Sequence, residues 1–478
     1  MRFEASTTFT CADPAIQRVY DEAVRKSRLN LKDFHGDRVL VEGGGYDKIW
    51  LETQPMGGEM FALHDPEAAV NNSLLFMRHQ RSDGRLPGSI QRLEDRVEAQ
   101  FNKLQGYCFP AHALNLYYLL GRDAQWLDAL EDCLRRFDDW LWHTRAVSGD
   151  GLLSSFCVYD TGEDNAVRYG DAPCWWTEDA PPEGFAVVPM ASMDITSFSY
   201  ANWDALAKIS RIRGRESEAA ACRARANAIA ESLRGRLWNE SRGALFDRDK
   251  RGNTVDVLCH NTLRCMYWGS VSQAMADRFV AEHLLNPSEF WTELPLPSVA
   301  ADDPAFLNAP ENNWSGQCEG LTFQRALFAL ENYGYEKLVT RLGRRLLRAI
   351  AEGGYAFTQQ FDPFTGAPSR VGMRSHAPIG PDSDEPFQDA YGPTMLAALG
   401  SIERLWGIGL WNGEVRFSLC GGLPCACSAS WNGHAYRLES DGARAVATVD
   451  GREVYSGPCG VRVITGEAGG AVRTVAIE

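Results

Sequence analysis

The stretch DTGEDNAVRY, Asp160 to Tyr169, places carboxylates, an amide and a guanidinium close to the apolar, aromatic run DAPCWW. Carboxyl groups beside flat apolar walls suit the acid–base cleavage of a glycosidic bond. One carboxylic acid protonates the departing oxygen. In an inverting reaction a second carboxylate, about 6.5–9.5 Å from the first, deprotonates the attacking water. The acid must keep its proton near neutral pH, which burial against aromatic walls supplies. Asp164 meets that description. It lies in an irregular Gly-containing loop, with Asn165 and Arg168 beside it as donors and Trp175 and Trp176 as walls. A solvated acidic loop, with Arg168 paired to Asp160 or Glu163, has the same composition, and residue types alone leave both readings open.

The elements that must position this loop are mostly helical. From residue 13 to about 409, ten segments repeat apolar residues at helical spacing, among them PAIQRVYDEAVRKSRLNL, AQWLDALEDCLRRFDDWLWHTR and YEKLVTRLGRRLLRAIAE. Two weaker candidates lie near KIWLETQPMGGEMFALH and VDVLCHNTLRCMYWGS. Short and long loops alternate between these segments, which predicts helical hairpins. Loops as long as the one that carries Asp164 are usually functional in a compact domain. After LWGIGLWNG the pattern changes to alternating residues with turns at Asn-Gly and Asp-Gly, the signature of β-hairpins. The expected organisation is a helical catalytic domain over residues 1–410 and a small antiparallel β domain over 411–478.

Composition narrows the class. With 478 residues, 45% hydrophobic and 23% charged, the chain reads as a soluble globular protein. A net charge of -15 argues against a nucleic-acid partner or an acidic membrane. No run approaches the roughly 18 apolar residues of a membrane span, and MRFEASTTFTCADP has no signal-type apolar core. The 13 cysteines are scattered through apolar contexts, which predicts free thiols in a reducing, cytoplasmic setting. Cys425 and Cys427 lack a second ligand pair at zinc spacing, and EGGGYDK does not open a nucleotide-binding βαβ unit, so no metal or cofactor is expected.

DTGEDNAVRY resembles the Glu-Ser-Gly-x-Asp-Asn-Ser-x-Arg-Tyr/Phe motif of six-hairpin, (α/α)6-barrel glycosidases. The nearest are glycoside hydrolase family 63, with its glucosidase and mannosylglycerate-hydrolase branches, and the trehalases. Other segments follow in the same order: IWLETQPMGG, with Glu52 where the family has a sugar-binding Asp, then QGYCFPAHAL, RLWNESRGALFDRD, NNWSGQCEGLTFQRALFALENYGY and FTQQFDPFTGAP. The resemblance covers about 45–410. It implies an (α/α)6 toroid, Asp164 as general acid, Arg168 and Glu52 holding the terminal sugar, and a small-molecule glycoside as substrate. Trp50, Trp175, Trp176 and Trp314 lie in or beside the loops that would form the pocket, where indole faces stack on sugar rings; core packing is an equal use for each. Glu59 follows Glu52 by seven residues and shares its helix face, to bind a hydroxyl or cap a buried Arg.

Two departures bear on the reaction. The first residue of the family's Glu-Asn-Tyr-Asp-Pro segment is its general base, and Gln359 stands there. A neutral amide cannot take a proton from water. In GQCE, however, Glu319 replaces a family Trp and is the preferred relocated base, with Glu385 and Asp389 as further candidates on a late loop. The expectation is an exo-acting, inverting hydrolase of α-linked glycosides. The alternatives are an α-L-rhamnosidase-like hydrolase, an inverting phosphorylase or an inactive sugar-binding protein.

Overall fold

The computed structural model describes residues 2–380 and 382–478. Among them are twelve α-helices: α1 (Pro14–Leu29), α2 (Gln54–Met60), α3 (Pro66–Arg78), α4 (Pro110–Leu119), α5 (Ala124–Thr144), α6 (Met193–Ile212), α7 (Glu216–Leu237), α8 (Asn261–Trp268), α9 (Gln273–Phe279), α10 (Gly320–Glu331), α11 (Glu336–Glu352) and α12 (Gly392–Trp406). Their starts follow local chemistry. The Asp13 carboxylate accepts from the Ala15 amide at 2.8 Å with Pro14 as first helical residue, and Asp123 accepts from Trp126 at 3.0 Å to open α5. Ser192 caps α6 in the same way. The two weaker helical segments of the sequence become α2, preceded by the short strand Lys48–Trp50, and α8.

Burial alternates along the chain. α4, α8, α10 and α12 bury nearly every residue, whereas α1, α5, α7 and α11 keep a polar face in solvent. A helix enclosed on all sides is packed among others, so the first group makes an inner layer and the second an outer one. The buried helices begin beside the residues of interest. Glu52 precedes α2, Gln105 precedes α4, Asp194 opens α6, Asn261 opens α8, Glu319 caps α10 and Tyr391 caps α12.

The β region has two antiparallel sheets. One pairs Ile408–Trp411, Glu414–Leu419, Val461–Gly466 and Arg473–Ala476. The other pairs Pro424–Trp431, His434–Asp441, Arg444–Val449 and Arg452–Pro458, and its edge is completed by Ala5–Cys11 from the far N-terminus, in register from Ala5 opposite Trp431 to Cys11 opposite Cys425. Asn432-Gly433 and Asp450-Gly451 turn with positive φ at both residues, as tight hairpins require. The region docks on the helices through the buried Trp431 indole, which donates to the Leu119 carbonyl at 3.0 Å, and through Arg462, which pairs at 2.5 Å with Glu331 of α10, itself bound at 3.1 Å by Arg404 of α12.

Candidate active site

The acid loop is fastened from below. The buried Asp160 carboxylate accepts from the Leu104 amide at 3.0 Å, the Phe156 amide at 2.8 Å and Arg145 at 2.6 Å. Burial alone would raise its pKa, but these donors outweigh burial and hold it below the usual range. Glu163 points inward and meets Arg264 at 2.9 Å, the Asn261 amide at 3.0 Å and Arg168. Arg168 also binds Asp194, at 3.1 Å, and Asp247. With Asp160 and Glu163 both turned into the protein, Asp164 between these anchors faces the other way and keeps solvent access.

Four carboxylates share one electrostatic neighbourhood: Glu42, Glu52, Asp164 and Glu319. Glu52 is buried at the turn before α2, paired with Arg325 of α10 and 3.6 Å from Arg264 of α8. Gly162 and Gly106 wrap over it. Gly162 has φ +79°, and a Cβ there would fall inside the Glu52 carboxylate. Glu42 accepts from the Tyr391 hydroxyl at 3.2 Å. Glu319 is fully buried, and neither carboxylate oxygen has a well-formed hydrogen bond among the described residues, although the Gln359 side chain lies near enough to favour its charged form. Gln359 in turn accepts from the Tyr46 hydroxyl at 3.2 Å. The Lys103 ammonium sits 4.9 Å from the ring centroids of both Trp50 and Tyr159.

These surroundings shift the acids together. Desolvation raises Asp164 most, the Glu52 charge adds to it, and Lys103 and Gln105 oppose it; the result is a pKa of about 7. The group has solvent access, and protein atoms nevertheless crowd it closely enough to desolvate it. Glu319 is pushed well above the carboxylate range by burial and then by Asp164 and Glu52. Glu42 moves the same way, by burial and then Glu52 and Asp164. Acids poised to hold protons near neutral pH, beside an arginine-backed carboxylate and an indole face, can serve proton transfer to a bound neutral polyol.

The family model for the mannosylglycerate hydrolase MGH1-like glycoside hydrolase domain matches residues 58–378. The chain belongs to this family. A mannosylglycerate hydrolase of Rubrobacter radiotolerans is 30% identical over 163 residues, which is 34% of this chain and 36% of that protein. The match thus spans about a third of the relative's length. A crystal structure of the GH63 mannosylglycerate hydrolase of Thermus thermophilus in complex with glucose superposes with a TM-score of 0.62 at 17% identity, over 80% of this chain and 99% of that one. The α-L-rhamnosidase of Dictyoglumus thermophilum superposes with a TM-score of 0.57 at 12% identity, over 94% of this chain and 44% of that one.

The structure brings Asp164, Glu319, Glu52, Trp50 and Gln359 together in this member of the family. It does not bring in every residue singled out from the sequence. Glu385 lies on an exposed loop, where it accepts from the Arg374 and Ser375 amides at 2.7 Å; those bonds hold it in its charged form, and it is not among the charges that most shift Asp164 or Glu319. Asp389 is tied to Lys26 and to the Phe357 amide, at 2.8 Å. Arg168 is occupied by three carboxylates and braces the loop from behind, so the pairing with Glu163 holds while the loop is no mere surface feature. Asn165 accepts from the Trp314 amide at 3.0 Å and donates to the Glu311 carbonyl at 3.2 Å, pinning a neighbouring loop. Trp314 is buried against His260. Glu59 lies deeper along α2 and binds His112 at 2.8 Å and Asn115 at 2.5 Å; no arginine hydrogen-bonds to it among the described residues, although its charge reaches the buried Arg404. Trp175 is 58% exposed, 6.3 Å from Tyr159, and Trp176 is half-buried with its indole on the Ala180 carbonyl.

Sequence reasoning passed over Glu42, Tyr46, Lys103, Tyr391, Arg264 and Arg325. One signal was present for the first two. The glycines of EGGGYDK all take positive φ, and that loop sets Glu42 and Tyr46 at the cluster. Arg264 and Arg325 sit in ordinary helical patterns and carried no such mark.

Proposed function

We propose that the chain is an exo-acting, inverting glycoside hydrolase that releases a terminal sugar from a small α-linked glycoside. The twelve helices would form an (α/α)6 toroid over residues 1–410, with 411–478 as a β domain to which the N-terminal strand is lent. The observation that carries the reading is a pair of acids in one carboxylate cluster: Asp164, proton-bearing up to about pH 7, and Glu319, buried with both oxygens unspent. Asp164 donates its proton to the departing glycosidic oxygen. Glu319 takes a proton from the water that attacks the opposite face of the anomeric carbon. Glu52, fixed by Arg325, accepts from sugar hydroxyls, and Trp50 offers its face to the ring.

The base must be charged to act, and the protein groups around it favour its neutral form. A bound water and the sugar's own hydroxyls donate to the free oxygens of Glu319, and hydrogen bonds to the charged form lower the pKa. Interacting acids share their protons as a set, so ionising Glu319 reinforces the hold of Asp164 on its proton. A second reading is favoured by Gln359 in the place of the family's base: sugar is bound without hydrolysis, or inorganic phosphate attacks in place of water.

The test is turnover on a panel of nitrophenyl α-glycosides, α-L-rhamnoside included, and on mannosylglycerate. Glu319→Gln should lower turnover on the order of 10²–10⁴-fold, with partial rescue by azide or formate. Activity close to wild type would remove Glu319 as base. Turnover that needs added phosphate, or a gain of hydrolysis in Gln359→Glu from an inactive parent, would establish the second reading.

A further inference from the structure

We propose that a cavity at the far ends of the buried helices is a second ligand site, for a hexose-sized polyhydroxylated molecule carrying one anionic group, a sugar acid or a sugar phosphate. Its volume is about 470 Å³, within the range of roughly 300–1,000 Å³ of small-molecule pockets. α6 and α8 start beside the carboxylate cluster, at Asp194 and Asn261, and their later turns, at Tyr200, Asp204 and Trp268, line the cavity. Asp194 and Asp204 are about 15 Å apart along the helix at 1.5 Å per residue. The two sites therefore lie on opposite sides of the same helical layer.

The walls have what a carbohydrate needs. Tyr200, Trp268, Tyr333 and Trp411 supply flat aromatic surface. Polar groups with unspent capacity stand between them. Asn332 gives its amide hydrogens to the Met266 and Tyr267 carbonyls at 3.2 and 2.9 Å, and its own oxygen stays available. Gln273 spends its amide nitrogen on Asp277 and the Tyr333 carbonyl, at 2.9 and 3.2 Å, and keeps its oxygen. The side-chain oxygen of Asn412 is buried with no donor among the described residues. Such acceptors call for hydroxyl hydrogens.

The charge of the cavity selects an anion. Asp204 is neutralised by Lys208 at 2.7 Å and Arg223 at 2.5 Å. Arg234 is left over. Its Nε donates to the Ser270 carbonyl at 2.7 Å, and its two terminal nitrogens have no partner among the described residues. That free edge is a fork for the two oxygens of a carboxylate or phosphate. Ala111, exposed at the start of α4, marks the mouth.

The experiment is calorimetric titration of the full chain with D-galacturonate, D-glucose 6-phosphate and D-glucose. At least one anion should bind saturably and glucose more weakly. Which anion binds separates the two sources. Arg234→Gln should weaken that binding about tenfold or more, the scale of a lost charge-assisted bond. Ala111→Trp, which fills the mouth without touching the core, should abolish it, while Glu319→Gln should leave it unchanged. The proposal is overturned if neither anion binds, if glucose binds as tightly as the anions, or if binding survives Arg234→Gln. Circular dichroism checks each variant for folding, and should Ala111→Trp not fold, Arg234→Gln decides alone.

Discussion

Asp164, the proposed acid, has a displaced proton equilibrium, and that equilibrium is measurable in two ways. As the proposed acid it must be protonated, so turnover should fall as pH rises through about 7, and Asp164→Asn should abolish it. The same displacement acts on stability. An aspartate in an unfolded chain has a pKa of about 3.9. Because the folded value is higher, the group favours the folded state fully below about pH 4, and that contribution is lost as pH rises through about 7. Glu42 and Glu319 act in the same direction. Asp164→Asn should therefore melt higher than wild type at pH 8, and the gain should shrink towards pH 4. Scanning calorimetry at the two pH values checks this; an identical difference at both would show that Asp164 is not displaced.

The loop that carries Asp164 is an element held by two kinds of contact. Asp160 with Arg145, and Arg168 with its three carboxylates, fix its ends, while Gly162 presses the backbone against Glu52. No side chain fits at 162, and the backbone there has a conformation that L-residues adopt only under strain. Gly162→Ala should cost on the order of 1–3 kcal/mol in urea unfolding and should lower turnover by shifting Glu52 and Asp164 together. Unchanged activity in that variant would mean that the loop does not seat on Glu52.

At the scale of the molecule, the strand Ala5–Cys11 completes a sheet built otherwise from residues 424–458. Ala5–Cys11 covers the edge of Pro424–Trp431, and the buried Trp431 indole joins that strand to α4 through Leu119. Removing residues 2–11 should uncover a strand edge of unpaired backbone groups. The expected result is a lower melting temperature and concentration-dependent light scattering, with the nitrophenyl-glycoside activity of the remaining folded fraction preserved. A truncated chain that stays monodisperse and melts like the parent would show that the strand contributes little.

Local patterns determined much of this protein. Periodicity and capping marked the helices, because an amphipathic face and a capping carboxylate are written in neighbouring residues. Asn-Gly and Asp-Gly marked the hairpins after residue 411, because only a few residue types tolerate positive φ. The acid motif could be read for the same reason, since its anchors and its acid lie within ten residues. Tertiary structure decided what depends on partners far along the chain. It paired Arg168 with Glu163, Asp194 and Asp247, tied Glu59 to His112, set Glu385 on backbone amides of an exposed loop, and gathered Glu42, Glu52, Asp164 and Glu319 from four separate segments. A carboxyl's proton affinity and a guanidinium's role are set by which charges surround them in space, and spacing along the chain does not encode that.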